Sequence, residues 1–241
     1  MSEVAVRRPP GQLRSLLRCS HPKQALLIAV VIAGAAALSD RAGREVLVAG
    51  AAVLLAQVIL GIHNDVADVE YDVVSGIDGK PIAADLLPVG NATFVIAALT
   101  LLAIPLSLQN GTVAGFVLLG TLVVGFAHNR FVHRSAFSWI GWTVTFGLLP
   151  AFLSYGGWSG GVHGDPPTVA ITLTAAALGF CVHFMVALPD LVADNLSGAR
   201  HLPLRAALRI GAPRLLVVSS IFTVLAIAGV VVSALSVGLR Q

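Results

Sequence analysis

The sequence predicts an all-α fold, a polytopic membrane helix bundle of seven transmembrane helices. Three observations carry it. Of the 241 residues 56% are apolar and only 11% charged, where a soluble domain is nearer a quarter charged. The apolar residues fall into seven runs of about the length a helix needs to cross a hydrocarbon core of ~30 Å. The basic residues alternate with those runs, which is the signature of a chain threading back and forth through a bilayer. Lipid offers the backbone no hydrogen-bonding partners, so each run must be a helix.

The first run, 22–39, follows Arg14, Arg18 and Lys23 and has the layout of a signal peptide. Its flank AAALSDRAG is a poor cleavage site and six further spans follow, so it reads as a retained helix. The second, 46–62, ends in a cluster of acids. The third and fourth, 91–108 and 112–127, are joined by three polar residues. The fifth, 136–155, leads into a Gly, Ser and Pro connection at 156–167. The sixth, 168–188, ends in a second group of acids, and 213–236 is the seventh. Residues 1–21 form a basic amino-terminal segment, and 22–241 one transmembrane domain.

Twelve of the fifteen basic residues lie on one side of this threading: Arg7, Arg8, Arg14, Arg18 and Lys23, then Lys80, Arg130 and Arg134, then Arg200, Arg205, Arg209 and Arg214. Only Arg41, Arg44 and Arg240 lie on the other. The positive-inside bias puts the amino terminus in the cytoplasm and, with seven spans, the carboxyl terminus outside; the expected location is the plasma membrane. Two isolated cysteines, Cys19 and Cys181, give neither a disulfide framework nor a zinc site. Nothing in the composition or the motifs suggests a nucleic acid partner.

Eight of the twelve acids occupy two loops on the cytoplasmic side. GIHNDVADVEYD (61–72) holds Asp65, Asp68, Glu70 and Asp72, and Asp78 and Asp85 follow; Asp190 and Asp194 come after the sixth span. On a continuous helix Asp65, Asp68 and Asp72 fall within about 60° of one face. Asn64 borders that face, and Glu70 points away to solvent. Asp190 and Asp194 share a face of their own, and His183, seven residues before Asp190, points the same way from within the membrane. Solvated helix ends would explain one such cluster. Two on the same side, each trailed by basic residues, point to a site between two related halves. Clustered carboxylates repel unless a cation offsets them. Oxygen ligands with no His or Cys cluster suit Mg²⁺ completed by water and phosphate. Lys80 and Arg200 would take the remaining charge of a diphosphate.

These residues resemble the UbiA superfamily of intramembrane prenyltransferases. NDVADVEYD fills the pattern NDxxDxxxD with Asn64, Asp65, Asp68 and Asp72, and LPDLVADNLSG fills the second, DxxxD, with Asp190 and Asp194. GKPIAADLLP (79–88) is similar to the basic loop after the first motif. HNRFVHRSAFS (128–138) is similar to the segment after the fourth span, keeping Asn129 and Arg134 but with His128 and His133 where the family usually has Tyr and Lys. LPDLVADNLSGARHLPLR looks like an actinobacterial branch.

The resemblance implies Mg²⁺-dependent transfer of an isoprenyl group from an allylic diphosphate to an acceptor, often aromatic. It makes Asp65, Asp68, Asp72, Asp190 and Asp194 the catalytic, metal-holding residues. Asn64, Lys80, Asn129, Arg134, His183 and Arg200 become the substrate-binding set, and Phe126, Trp139, Trp142 and Phe184 candidates for a pocket lining. Membrane lipid and a small hydrophobic or aromatic acceptor are the expected partners. The family usually has about nine helices, so the last two are expected to be missing here. A terpene cyclase and a phosphoribosyl-diphosphate-using lipid transferase are alternatives within the superfamily. A transporter and a non-catalytic membrane subunit are alternatives outside it; no acid lies mid-membrane as an ion relay would require.

Overall fold

The computed structural model describes residues 11–76, 79–157 and 165–237. Arg7, Arg8, Asp78 and Arg240 lie outside them. The described residues contain helices and turns and no strand. The apolar helices are α2 (Pro22–Leu38), α3 (Gly43–Ala67), α5 (Val89–Leu108), α6 (Thr112–Ala127), α7 (Trp139–Ser154), α8 (Val169–Ala187) and α11 (Ala212–Val237). Four shorter helices lie between or before them: α1 (Gln12–Cys19), α4 (Val69–Ser75), α9 (Leu191–Leu196) and α10 (Leu202–Ile210). This is a multi-pass membrane protein.

Each of the seven apolar runs is a helix, but the expectation of seven full spans needs correcting. Five helices are long and apolar enough to cross a membrane: Gly43–Ala67, Val89–Leu108, Thr112–Val132, Val169–Leu196 and Ala212–Ser236. The pair α1 and α2, bent by 54°, makes a sixth when the two are counted as one broken span. The remaining helix, α7, has 16 residues, about 24 Å at 1.5 Å per residue. Its apolar run begins at residue 136, but Ser135 and Ser138 close turns there, with Ser138 N donating to Ser135 O at 3.1 Å. The helix therefore starts three residues late.

Helices adjacent in sequence pack side by side, α2 on α3, α5 on α6, α6 on α7, α7 on α8 and α8 on α11, while α3 also meets α5 and α6. Alanines fill the centre: Ala29 and Ala36 of α2, Ala49, Ala52 and Ala56 of α3, and Ala114 of α6 are buried with Phe152. Small residues let helix backbones approach where lipid supplies no hydrophobic drive for association. At the α1–α2 elbow a Cβ on Gly61 of α3 would lie 2.8 Å from the carbonyl of Ser20. The elbow thus rests on bare α3 backbone, with His21 at φ 47° and Pro22 opening α2. Pro suits a first helical position because its missing N–H would have no partner there. The outward face of α11 exposes Leu216, Ile221, Phe222, Leu225 and Val232 to the lipid.

Candidate active site

The two acidic motifs are built alike. In each, a long helix ends, the chain breaks, and a short helix carries the last aspartate. After α3 the break falls on Asp68 itself, at φ −96° and ψ 1°, and α4 carries Asp72. After α8 it is the 3₁₀ turn Leu188–Asp190. Pro189 sits in that turn, and its missing N–H and ring clash end an α-helix. The short α9 then carries Asp194, and α4 packs on α9. The first motif is therefore not the single continuous face that periodicity describes. The kink nevertheless keeps all three aspartates inside, with Asp65, Asp68 and Asp72 exposed by only 2%, 9% and 7%. Glu70 is exposed, as its spacing indicates.

Each buried carboxylate has a basic partner. Lys80 Nζ donates to Asp65 Oδ1 at 2.7 Å and stands 3.4 Å from Asp72 Oδ2. His21 Nε2 lies 3.1 Å from the same Asp65 oxygen. His133 Nε2 is 2.6 Å from Asp68 Oδ1, while Asn64 Nδ2 donates to Asp68 Oδ2 at 3.0 Å. His201 Nε2 is 2.8 Å from Asp194 Oδ2. Burial alone would lower the Lys80 ammonium, but Asp65 and Asp72 beside it overrule that and hold it well above the usual lysine range. For Asp72 burial dominates. Lys80 opposes it while Asp68 and Asp65 add to it, and the carboxyl is pushed up to about 6.

The candidate binding residues divide. Asn64, Lys80 and Asn129 line a cavity of about 730 Å³ together with Asp65 and Asp190. Asn129 Nδ2 donates to Leu60 O at 3.0 Å, which anchors it to α3. Asp190 is exposed toward this space, whereas Asp194 turns to His201, so the two part company despite their helical spacing. Arg200 is exposed, and its backbone N–H donates to Arg134 O at 2.8 Å. Arg134 stacks its guanidinium on the Tyr71 ring and donates to Ser197. His183 is buried with Nε2 2.8 Å from Ser138 Oγ, and its ring stacks against Trp142 at 6.1 Å. Neither Arg134 nor His183 is part of the cavity wall.

From its acidic end the cavity runs along α3 to Val53, twelve residues and about 18 Å away. Ile28, Leu118 and Leu149 make that part mainly apolar, with Gln57, Thr121 and Thr145 as its polar groups. Trp142 and Phe146 are its aromatic wall. Of the other aromatic candidates, Phe126 packs on His63, while Trp139 and Phe184 pack on Phe180. His128 also lines the cavity, with Nδ1 buried against Gly141 and without a hydrogen-bond partner. The sequence left His21 and His201 unassigned. His21 precedes a helix 44 residues from its aspartate, and no local pattern marks such a pairing. His201 stands seven residues after Asp194, close enough in the chain for a loop-back to be considered.

Among the described residues no three His, Cys, Asp or Glu side chains converge as a ready-made metal cage. The oxygens present still fit Mg²⁺, which takes one or two carboxylates and leaves its other positions to water and phosphate. Asp72 Oδ2 in particular is buried and accepts no hydrogen bond, and the Lys80 ammonium stands 3.4 Å from it, so a divalent ion would compete with that ammonium for this oxygen.

The fold has close likenesses among solved structures. A UbiA homolog from Archaeoglobus fulgidus bound to GPP and Mg²⁺ superposes with a TM-score of 0.69 at 16% identity, covering 92% of this chain and 78% of that one. The same homolog bound to DMAPP and Mg²⁺ gives 0.69 and 16%, covering 89% and 76%. A digeranylgeranylglyceryl phosphate synthase gives 0.62 and 17%, covering 93% and 87%. At these identities the likeness bears on fold alone. No curated protein matches the sequence. The family model described as the UbiA prenyltransferase family matches residues 25–240, and the chain belongs to that family.

Proposed function

We propose that the protein transfers an isoprenyl group from an allylic diphosphate to a small hydrophobic or aromatic acceptor within the plasma membrane, with Mg²⁺ as cofactor and its amino terminus in the cytoplasm. The observation that carries this reading is one shared space. Carboxylates from two helix ends and the ammonium of Lys80 lie at one end of a cavity whose remaining length is mainly apolar and aromatic, with Gln57, Thr121 and Thr145 among its polar groups. That is the shape of a molecule with a charged head and a hydrocarbon tail. The structural neighbours bound to GPP, DMAPP and Mg²⁺ support the same substrate class.

In this reading Asp65, Asp68, Asp72 and Asp190 would hold Mg²⁺, and Asp194, which faces His201 in this structure, would turn to join them. The bound ion would offset the negative charge that builds on the departing diphosphate. Lys80 adds a positive charge to the same end, where Asn64 and Asn129 also line the cavity. The bond between the allylic carbon and the diphosphate oxygen breaks, and its electron pair leaves with the diphosphate. The acceptor supplies the electron pair of the new bond and then loses a proton to the released diphosphate. Trp142 and Phe146 keep water from the allylic cation and offer it a ring face. His183, fixed by Ser138, sets the plane of Trp142 from behind.

The test incubates purified protein with labelled geranyl, farnesyl and geranylgeranyl diphosphates, Mg²⁺ and a panel of aromatic acceptors. Diphosphate release that disappears in Asp68→Asn and Asp190→Asn is the expected result. Absence of any Mg²⁺-dependent binding of an allylic diphosphate to the native protein would overturn the reading. Analysis of the product separates transfer from cyclisation.

A further inference from the structure

Arg134 follows the π-helical turn His128–Val132 at the end of α6 and belongs to neither acidic motif. Its guanidinium carbon sits 3.5 Å from the centroid of the Tyr71 ring, between Asp68 and Asp72 in the first motif. From that stacked position Nη2 donates to Ser197 O at 3.0 Å and to Ser197 Oγ at 2.8 Å, three residues beyond Asp194 in the second. Its backbone closes the same link, since Arg134 O accepts from Arg200 N at 2.8 Å. Ser197 Oγ in turn donates to Asp194 O at 3.2 Å. One side chain thus ties the segment of Asp72 to the segment of Asp194. A planar guanidinium can stack on a ring and donate in its own plane at once, which an ammonium cannot do.

We propose that Arg134 is a positioning residue, a strut that fixes the spacing of the two aspartate segments, and that it does not bind the diphosphate. The inference rests on the reading of those aspartates as one Mg²⁺–diphosphate site. It follows from where the guanidinium is committed: one face to Tyr71, one edge to Ser197, and no part of it in the cavity wall. Tyr71 becomes a positioning residue by the same argument. The helices that end in the motifs, α3 and α8, are separated in the chain by three apolar helices, so their spacing is set by tertiary contacts such as α4 on α9 and this arginine.

The strut and the ligand roles differ in what rescues them. As a strut, Arg134→Lys fails although it keeps the charge, and Tyr71→Leu has the same effect although its side chain carries none. Both raise the Mg²⁺ concentration for half-maximal binding of labelled geranyl diphosphate about tenfold. Both lower kcat more than they raise KM at saturating Mg²⁺. A second measurement needs no substrate. With Cys181→Ser as background, spin labels at Glu70→Cys and Asn195→Cys, both exposed on α4 and α9, report the separation of the two segments. A single narrow distance is expected for Arg134, and a broadened or shifted one for Arg134→Lys and Tyr71→Leu. The proposal is overturned if the distance distribution is unchanged, or if Arg134→Lys retains Mg²⁺-dependent binding while Tyr71→Leu is silent. A native protein that binds no allylic diphosphate but shows the spin-label response would sink the functional reading and leave the strut standing.

Discussion

Replacing Lys80 with Met tests the charge balance of the site most directly. Lys80 Nζ touches Asp65 and faces Asp72, two buried carboxylates. Removing one partner of a buried ion pair costs about 3–5 kcal/mol, because the remaining charge is left uncompensated. Asp65 keeps His21 at 3.1 Å, so the loss should fall at or just below the lower bound, about 2–3 kcal/mol. For a chain of this size each kcal/mol moves Tm by about 2–4 °C, which puts Lys80→Met about 4–12 °C below the native protein. The ammonium also competes for the oxygen that a divalent ion would use. Mg²⁺ should therefore stabilise Lys80→Met more than it stabilises the native protein, recovering part of the deficit. The assay is thermal unfolding in detergent with and without Mg²⁺, followed by intrinsic fluorescence. A variant that melts within about 1 °C of the native protein, or gains no more from Mg²⁺, refutes the reasoning, since magnitudes of this kind should be plain.

His133→Ala strips Asp68 of its 2.6 Å partner and should lower kcat/KM by about tenfold, the weight of one charge-assisted hydrogen bond. His133→Lys should recover most of it, and equal activity in the two variants would show that the partner is immaterial. Gly61→Ala drives a methyl into the Ser20 carbonyl, and overpacking of this sort costs about 1–3 kcal/mol. The elbow must lift, taking His21 off Asp65, so Tm should fall and additional substitution of His21 by Ala should add little. Full additivity of the two changes contradicts it. Trp142→Ala opens the wall beside the reacting end, and a larger share of turnovers should end as the prenyl alcohol, read as the ratio of alcohol to transfer product. An unchanged ratio places the cation elsewhere.

Much of this architecture is legible in the sequence because lipid makes the rules strict. Every apolar run had to be helical, and each is. The aspartates were legible as well, since so few acids occur in the chain that their spacing stands out. What periodicity could not supply is the break at Asp68, because spacing arguments assume one unbroken helix. The partners of the aspartates were hidden for a different reason. His21 and Asp65, or His133 and Asp68, meet only after α2, α3 and α6 have packed. The contacts of Arg134 with Tyr71 and Ser197 were hidden likewise, since the three meet only in the folded chain. The seven-span expectation slipped at α7, where serine turns shorten a run that hydropathy alone counts as full.

That short helix has a consequence for the surrounding bilayer. At about 24 Å, α7 is shorter than a hydrocarbon thickness of ~30 Å, a mismatch that a bilayer accommodates by thinning or by flanking residues reaching to the interface. Because α7 also supplies Trp142, Phe146 and Leu149 to the cavity, a thinner bilayer would suit the helix that lines the site. The protein should thus sense membrane thickness, working best in bilayers of shorter acyl chains, with a falling rate as the chains of a nanodisc are lengthened.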